Sequence, residues 1–67
     1  MALSEQLINL RKKKGTTQKA LANYLHVTAQ AVSKWECGKG FPDIALLPDI
    51  AEFYSVSIEE LLGVEKK

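Results

Sequence analysis

A single cysteine, Cys37, and a single histidine, His26, are the only thiol and imidazole in this 67-residue sequence. One cysteine closes no disulfide within the chain, and the two residues fall short of the four N or S ligands of a structural zinc site. Covalent and metal staples are thereby excluded at a size where folding buries only about 60% of the unfolded chain's surface. Compact helix packing or a partner chain must supply the difference. A lone cysteine fits a reducing compartment. No run approaches the roughly 18 apolar residues of a membrane span, and the N-terminus lacks a signal-peptide pattern. The expectation is a soluble, cytoplasmic protein with no membrane contact. Paired acids, a nucleophile with its base and a glycine-rich phosphate loop are all missing, so no catalytic residue, metal, cofactor or small-molecule ligand is expected. Nor does any segment alternate with the period of two that marks a half-buried strand.

Charge is present but unevenly placed. The formal net charge of +1 hides a basic front and an acidic back. Residues 1–42 hold seven bases (Arg11, Lys12, Lys13, Lys14, Lys19, Lys34, Lys39) against Glu5 and Glu36. Residues 43–67 hold Lys66 and Lys67 against six acids (Asp43, Asp49, Glu52, Glu59, Glu60, Glu65). This asymmetry fits a polyanionic partner on one side only, and it also fits ordinary solvated faces.

Punctuation residues divide the chain into five short apolar-periodic segments. Ser4 can cap a first helix that carries Leu3, Leu7 and Leu10 on one face and ends at Gly15. Thr17 can cap a second, Gln18 to Leu25, with Leu21, Ala22 and Leu25 inward. Thr28 caps a third that closes at Gly38, followed by a loop with Gly40 and Pro42. Proline is comfortable in a first turn and costly in a helix interior. Pro48 therefore puts the start of a fourth helix near Leu46 or Leu47, running to about Tyr54 after a turn or loose 3₁₀ stretch at Asp43 to Ala45. "SIEE" reads as a capping box, Ser57 with Glu60, opening a last helix that stops at Gly63. The prediction is one all-α domain over 1–67, with an ordered core of about 4–63 and a frayed tail at 64–67.

The stretch "TAQAVSKWE" (28–36) carries the functional signal. At about 100° per residue, Trp35 and Glu36 fall within about 60° of Val32 on the inward side. Gln30, Ser33, Lys34 and Cys37 occupy the opposite arc, which is narrow and free of carboxylate. Gln can bond adenine bidentately in the major groove, Ser can donate or accept, and Lys can reach guanine or a phosphate. The same side chains would also serve merely to solubilise an exposed helix, and the segment alone leaves both readings open.

"TQKALANYLHVTAQAVSKWE" packs a helix, a tight turn and a second helix into 20 residues, with "LRKKKGTTQKALA", "VSKWECGKGFPDI" and "LLPDIAEFYSVSIEELLG" around it. In these motifs, over roughly residues 4–63, the chain resembles the Cro and phage-repressor family of bacterial helix-turn-helix DNA-binding proteins. The resemblance implies a compact five-helix, lambda-repressor-like domain whose second and third helices form the helix-turn-helix, the third lying in the major groove. Carried over by position, Ala29, Gln30, Ser33 and Lys34 are the base-reading set, with Ala29 standing where many members have glutamine. Thr17, Gln18, Lys39 and Gly40 are implied to meet backbone phosphate, although Thr17 also reads as a simple cap and Lys39 as a solvated loop cation. Arg11 and Glu36 are implied to form a structural ion pair tying the first helix to the third. His26 stands where the family usually has a left-handed glycine. Trp35 reads as a packing residue and Cys37 as a neutral surface thiol. Lys12 to Lys14 suit either a DNA-grazing patch or a solvated helix end favoured by the macrodipole.

Phe53, Tyr54, Val56, Ile58, Leu61, Leu62 and Val64 are more apolar residues than one small helix pair needs. Leu61 and one of the two aromatics are expected to close the core, and the candidate homodimer contacts are drawn from Phe53, Tyr54, Ile58, Leu62 and Val64. The expectation is a transcriptional regulator, a repressor, that binds double-stranded DNA at a palindromic operator as a dimer. Such a short chain has room to occlude an operator and none for a sensor domain. The competing expectation is a protein-interaction module, such as an antitoxin or anti-repressor partner, with DNA binding secondary or lost.

Overall fold

Thr17, Thr28 and Ser57 stand in extended backbone just before a helix. Each side-chain oxygen accepts from the amide three residues on, at 3.1, 3.1 and 3.0 Å. Each hydroxyl satisfies a donor that a helix start leaves unpaired. The computed structural model describes residues 3–63, which form α1 (Leu3–Lys14), α2 (Gln18–Leu25), α3 (Ala29–Glu36), α4 (Leu47–Tyr54) and α5 (Ile58–Leu62). A 3₁₀ turn, Ile44–Leu46, precedes α4. No strand occurs among the described residues. The all-α, five-helix architecture is the one expected. One boundary differs: α1 already includes Leu3, so Ser4 lies inside the helix and is not its cap. Leu3 is buried, and its packing draws the helix start back. Pro48 falls in the first turn of α4, where its missing N–H leaves nothing unpaired.

Two helix ends share a device that periodicity does not reveal. In "LANYLHV" (21–27) and "IAEFYSV" (50–56), His26 and Ser55 take left-handed backbone at φ 62° and 59°. The following Val27 and Val56 amides reach back to the Ala22 and Ala51 carbonyls, both at 2.9 Å. Both valines are half-buried against the core, giving each closure the apolar contact that accompanies it. Neither position holds the usual glycine. A side chain in left-handed backbone costs roughly 1–2 kcal/mol, partly offset by glycine's greater unfolded freedom. His26→Gly is therefore expected to stabilise the domain by up to ~1 kcal/mol in urea unfolding, with DNA binding unchanged.

One fully buried residue from each helix meets at the centre: Leu7, Leu21, Val32, Ile50 and Leu61. Ala22, almost wholly buried, keeps α2 small along its core face. Trp35 packs into the same core, so α3 is anchored by one face and presents the other.

Candidate nucleic-acid interface

Val32, Trp35 and Glu36 are buried, whereas Ala29, Gln30, Lys34 and Cys37 are exposed and Ser33 is half-exposed. The four expected base-reading residues therefore share the outer surface of α3. The end of α3 is closed by Gly38 at φ +77° and by the Lys39 amide, which donates to the Lys34 carbonyl at 2.9 Å. This closure sets Lys39, exposed, and Gly40 immediately beyond the C-terminal end of α3.

The only acid in α3 is Glu36, and three hydrogen bonds from two side chains determine where it points. Arg11 from α1 donates Nε to Oε2 at 2.8 Å and an η nitrogen to Oε1 at 3.1 Å. Gln18, the first residue of α2, donates its amide nitrogen to Oε1 at 3.0 Å. The Glu36 side chain is only 4% exposed and Arg11 23%. The hydrogen bond to Glu36 raises the Arg11 pKa above its usual value, against the opposing effect of burial. One carboxylate thus ties α1, α2 and α3 together, and turning it inward strips negative charge from the outer face of α3.

Tyr54 of α4 joins this cluster from behind. Its ring is buried, and its hydroxyl has no hydrogen-bond partner among the described residues. Burial pushes the phenol up to about 12, with the nearby Glu36 charge acting in the same sense and Arg11 against it. Sequence reasoning missed both this tyrosine's place beside the ion pair and the Gln18–Glu36 bond. It placed Tyr54 among the outer dimer contacts, whereas the ring belongs to the protomer's core.

The remaining expected dimer residues fare differently. Phe53 and Leu62 are half-buried against the core, Ile58 is exposed, and Val64 lies outside the described residues. Phe53 also packs between Tyr24, tilted at 46°, and Tyr54, edge-on at 78°, with ring centroids 5.0 Å away in each case, and the Lys14 ammonium sits 5.3 Å from its ring centre. Two large apolar residues that the sequence did not single out, Phe41 and Ile44, are 76% and 78% exposed in the segment joining α3 to α4. Non-periodic loops offer no pattern from which such exposure could be read. Thr17 is engaged as a cap, with its hydroxyl oxygen accepting from Ala20. Among the described residues no group of three or more His, Cys, Asp or Glu could hold a metal ion, and no helix is long and apolar enough to cross a membrane.

The helix-turn-helix family profile matches residues 7–61, from α1 through α5. The chain belongs to the Cro/phage-repressor-type helix-turn-helix family of DNA-binding transcriptional regulators. Among curated relatives in this family, it is 47% identical over 66 residues to the HTH-type transcriptional activator BcrR of Enterococcus faecalis, covering 98% of this chain and 32% of BcrR. It is 35% identical over 63 residues to the cryptic phage CTXphi transcriptional repressor RstR of Vibrio cholerae, covering 94% of this chain and 56% of RstR. The chain thus spans from about a third to a little over half the length of these two relatives. Among solved structures, the P22 c2 repressor in complex with a synthetic operator superposes with a TM-score of 0.87 at 26% identity, covering 97% of this chain and 98% of that one. In this helix-turn-helix protein, α2 and α3 are the two helices of the motif, and Leu25 to Thr28 hold the turn between them.

Proposed function

We propose that the chain is one DNA-binding domain that lays α3 in the major groove of double-stranded DNA, reads bases with Ala29, Gln30, Ser33 and Lys34, and acts in the cytoplasm as a homodimeric repressor at a palindromic operator. The observation that carries this reading is the outer face of α3, polar, cationic and relieved of its one carboxylate by the Arg11–Gln18 clamp. The likeness to the P22 c2 repressor, solved in complex with a synthetic operator, supports DNA as the partner. Gln30 is positioned to pair bidentately with adenine and Lys34 to reach guanine or phosphate, while the Ala29 methyl suits a thymine methyl. Thr17, Gln18, Lys39 and Gly40 meet phosphate, which fixes register without reading sequence. The amides opening α2 add donors and a positive dipole end.

One such helix makes few base contacts, whereas two copies related by a two-fold axis reach half-sites about 34 Å apart. Exposed Ile58, Phe41 and Ile44 support a second copy as the partner, since large apolar side chains in water mark association surfaces. The likeness to RstR supports repression, because occluding a promoter needs only occupancy. The closer identity to BcrR favours activation instead. A reporter with the selected site overlapping a promoter, and then placed upstream of it, separates the two: a repressor silences the first and leaves the second unchanged.

Lys39 gives the test of phosphate contact. Lys39→Ala should weaken binding to all duplexes about equally and reduce the slope of log affinity against log salt by about 1 per copy, measured by fluorescence anisotropy. An unchanged slope would remove Lys39 from the interface.

A further inference from the structure

The two most exposed large apolar side chains among the described residues stand three positions apart on backbone that is held fast. Phe41 and Ile44, in the corner joining α3 to α4, are 76% and 78% exposed. Before them, Gly38 and the Lys39 amide close α3. Between them, Pro42 is buried. After them, Leu46 packs against the core and its amide donates to the Asp43 carbonyl at 2.8 Å. The Asp43 carboxylate also accepts from the Ala45 amide at 3.1 Å. The exposure is therefore not the looseness of a loop. The fold displays these two side chains, and neighbouring large apolar groups held in water mark an association surface.

We infer that this corner is where a second copy seats, Phe41 and Ile44 of one protomer packing on those of its partner, and that the contact closes only on DNA. This rests on the homodimer reading, to which it adds the surface and the timing. Charge favours the corner over α5, the other apolar candidate. Ile58 stands beside Glu59 and Glu60, and no Lys or Arg lies between Gly40 and Gly63. Two copies meeting there would set acid against acid, which costs affinity. Phe41, by contrast, lies midway between Lys39 and Asp43, both exposed. A two-fold contact matches residue i with j and j with i. Two segments crossing at Phe41 in opposite directions therefore bring each Lys39 to the partner's Asp43. A lysine ammonium has three N–H donors, so Lys39 can hold that carboxylate and a phosphate together. Area sets the timing. Phe41 and Ile44 withdraw on the order of 300 Å² per copy from water, well under the roughly 800 Å² per partner of a stable interface. Free copies stay apart. On neighbouring half-sites, two copies meet at the high effective concentration of a tethered pair, where a weak contact suffices. Because the corner continues directly from the end of α3, the contact also measures the distance between half-sites.

The probes are the duplex with paired half-sites selected from random DNA and the same duplex with one half-site scrambled. Without DNA, the unaltered chain should sediment as a monomer. On the paired duplex the second copy should bind about tenfold more tightly than the first. Phe41→Ser combined with Ile44→Ser should abolish that gain. Affinity for the single half-site and the melting temperature should stay level, because both side chains already lie in water. Moving the half-sites apart by about five base pairs, half a helical turn, should remove the gain from the unaltered chain as well. Ile58→Ser should leave it intact. If selection returns only single half-sites, the homodimer reading fails and the corner contact falls with it. If paired sites are enriched but the gain is lost in Ile58→Ser and kept in the corner variant, the homodimer stands and the corner is the wrong surface. A dimer already formed in free solution overturns closure on DNA. An equal loss on the single and paired duplexes makes the corner a DNA contact and removes the second copy from it. A gain that survives both sets of substitutions leaves the corner to a different protein, which also overturns the assignment.

Discussion

Arg11→Ala is expected to destabilise the domain by about 3–5 kcal/mol. The arginine holds both oxygens of Glu36, a carboxylate with 4% of its side chain exposed. Without it, Glu36 must remain buried with only Gln18 beside it or drag the end of α3 outward into water. Each kcal/mol lowers the melting temperature of a domain this size by about 4–8 °C, so the loss is a large part of the whole stability. Thermal melting followed by circular dichroism reads it directly. DNA binding should fall further than unfolding alone explains, because a released carboxylate adds negative charge beside the reading face. Replacing both partners with apolar residues of similar volume should restore most of the stability, since the cost lies in the stranded charge. A loss below about 1 kcal/mol for Arg11→Ala would mean that the pair behaves as a surface ion pair.

The second large effect concerns recognition. Gln30→Ala should cost about 1–3 kcal/mol of discrimination per copy against a selected site, confined to one base position in each half-site. Affinity for random duplexes should change little, because the contact is to a base edge and not to phosphate. Profiling the variant against a set of single-base substitutions in the selected site measures this. An equal loss on every duplex would show that Gln30 does not read sequence.

Much of this was legible in the residues. Hydroxyl caps marked the starts of α2, α3 and α5, glycines marked the ends of α1, α3 and α5, and the three-to-four-residue spacing of Leu3, Leu7 and Leu10, of Leu21 and Leu25, and of Val32 and Trp35 marked inward faces. The outward arc of α3 followed from the angular step of a helix alone, and the Arg11–Glu36 pair from the family resemblance. Other features were not legible, for physical reasons. The left-handed closure at Ser55 depends on a chain reversal that a serine only tolerates. The placement of Tyr54 depends on how α4 rotates against α1, which periodicity leaves open between a core and an outer aromatic. Gln18 bonding Glu36 joins residues 18 apart through a three-helix contact that no local spacing encodes. The exposure of Phe41 and Ile44 lies in non-helical or 3₁₀ backbone, where hydrophobicity carries no facing information.

The central claim is that the outer face of α3 reads bases, and selection of random duplex DNA by the purified protein at near-physiological salt tests it most directly. The account predicts an enriched site with two inverted half-sites centred about one helical turn apart. Weak, salt-sensitive binding with no enriched sequence would contradict it, leaving a helix-turn-helix fold that holds phosphate without reading bases.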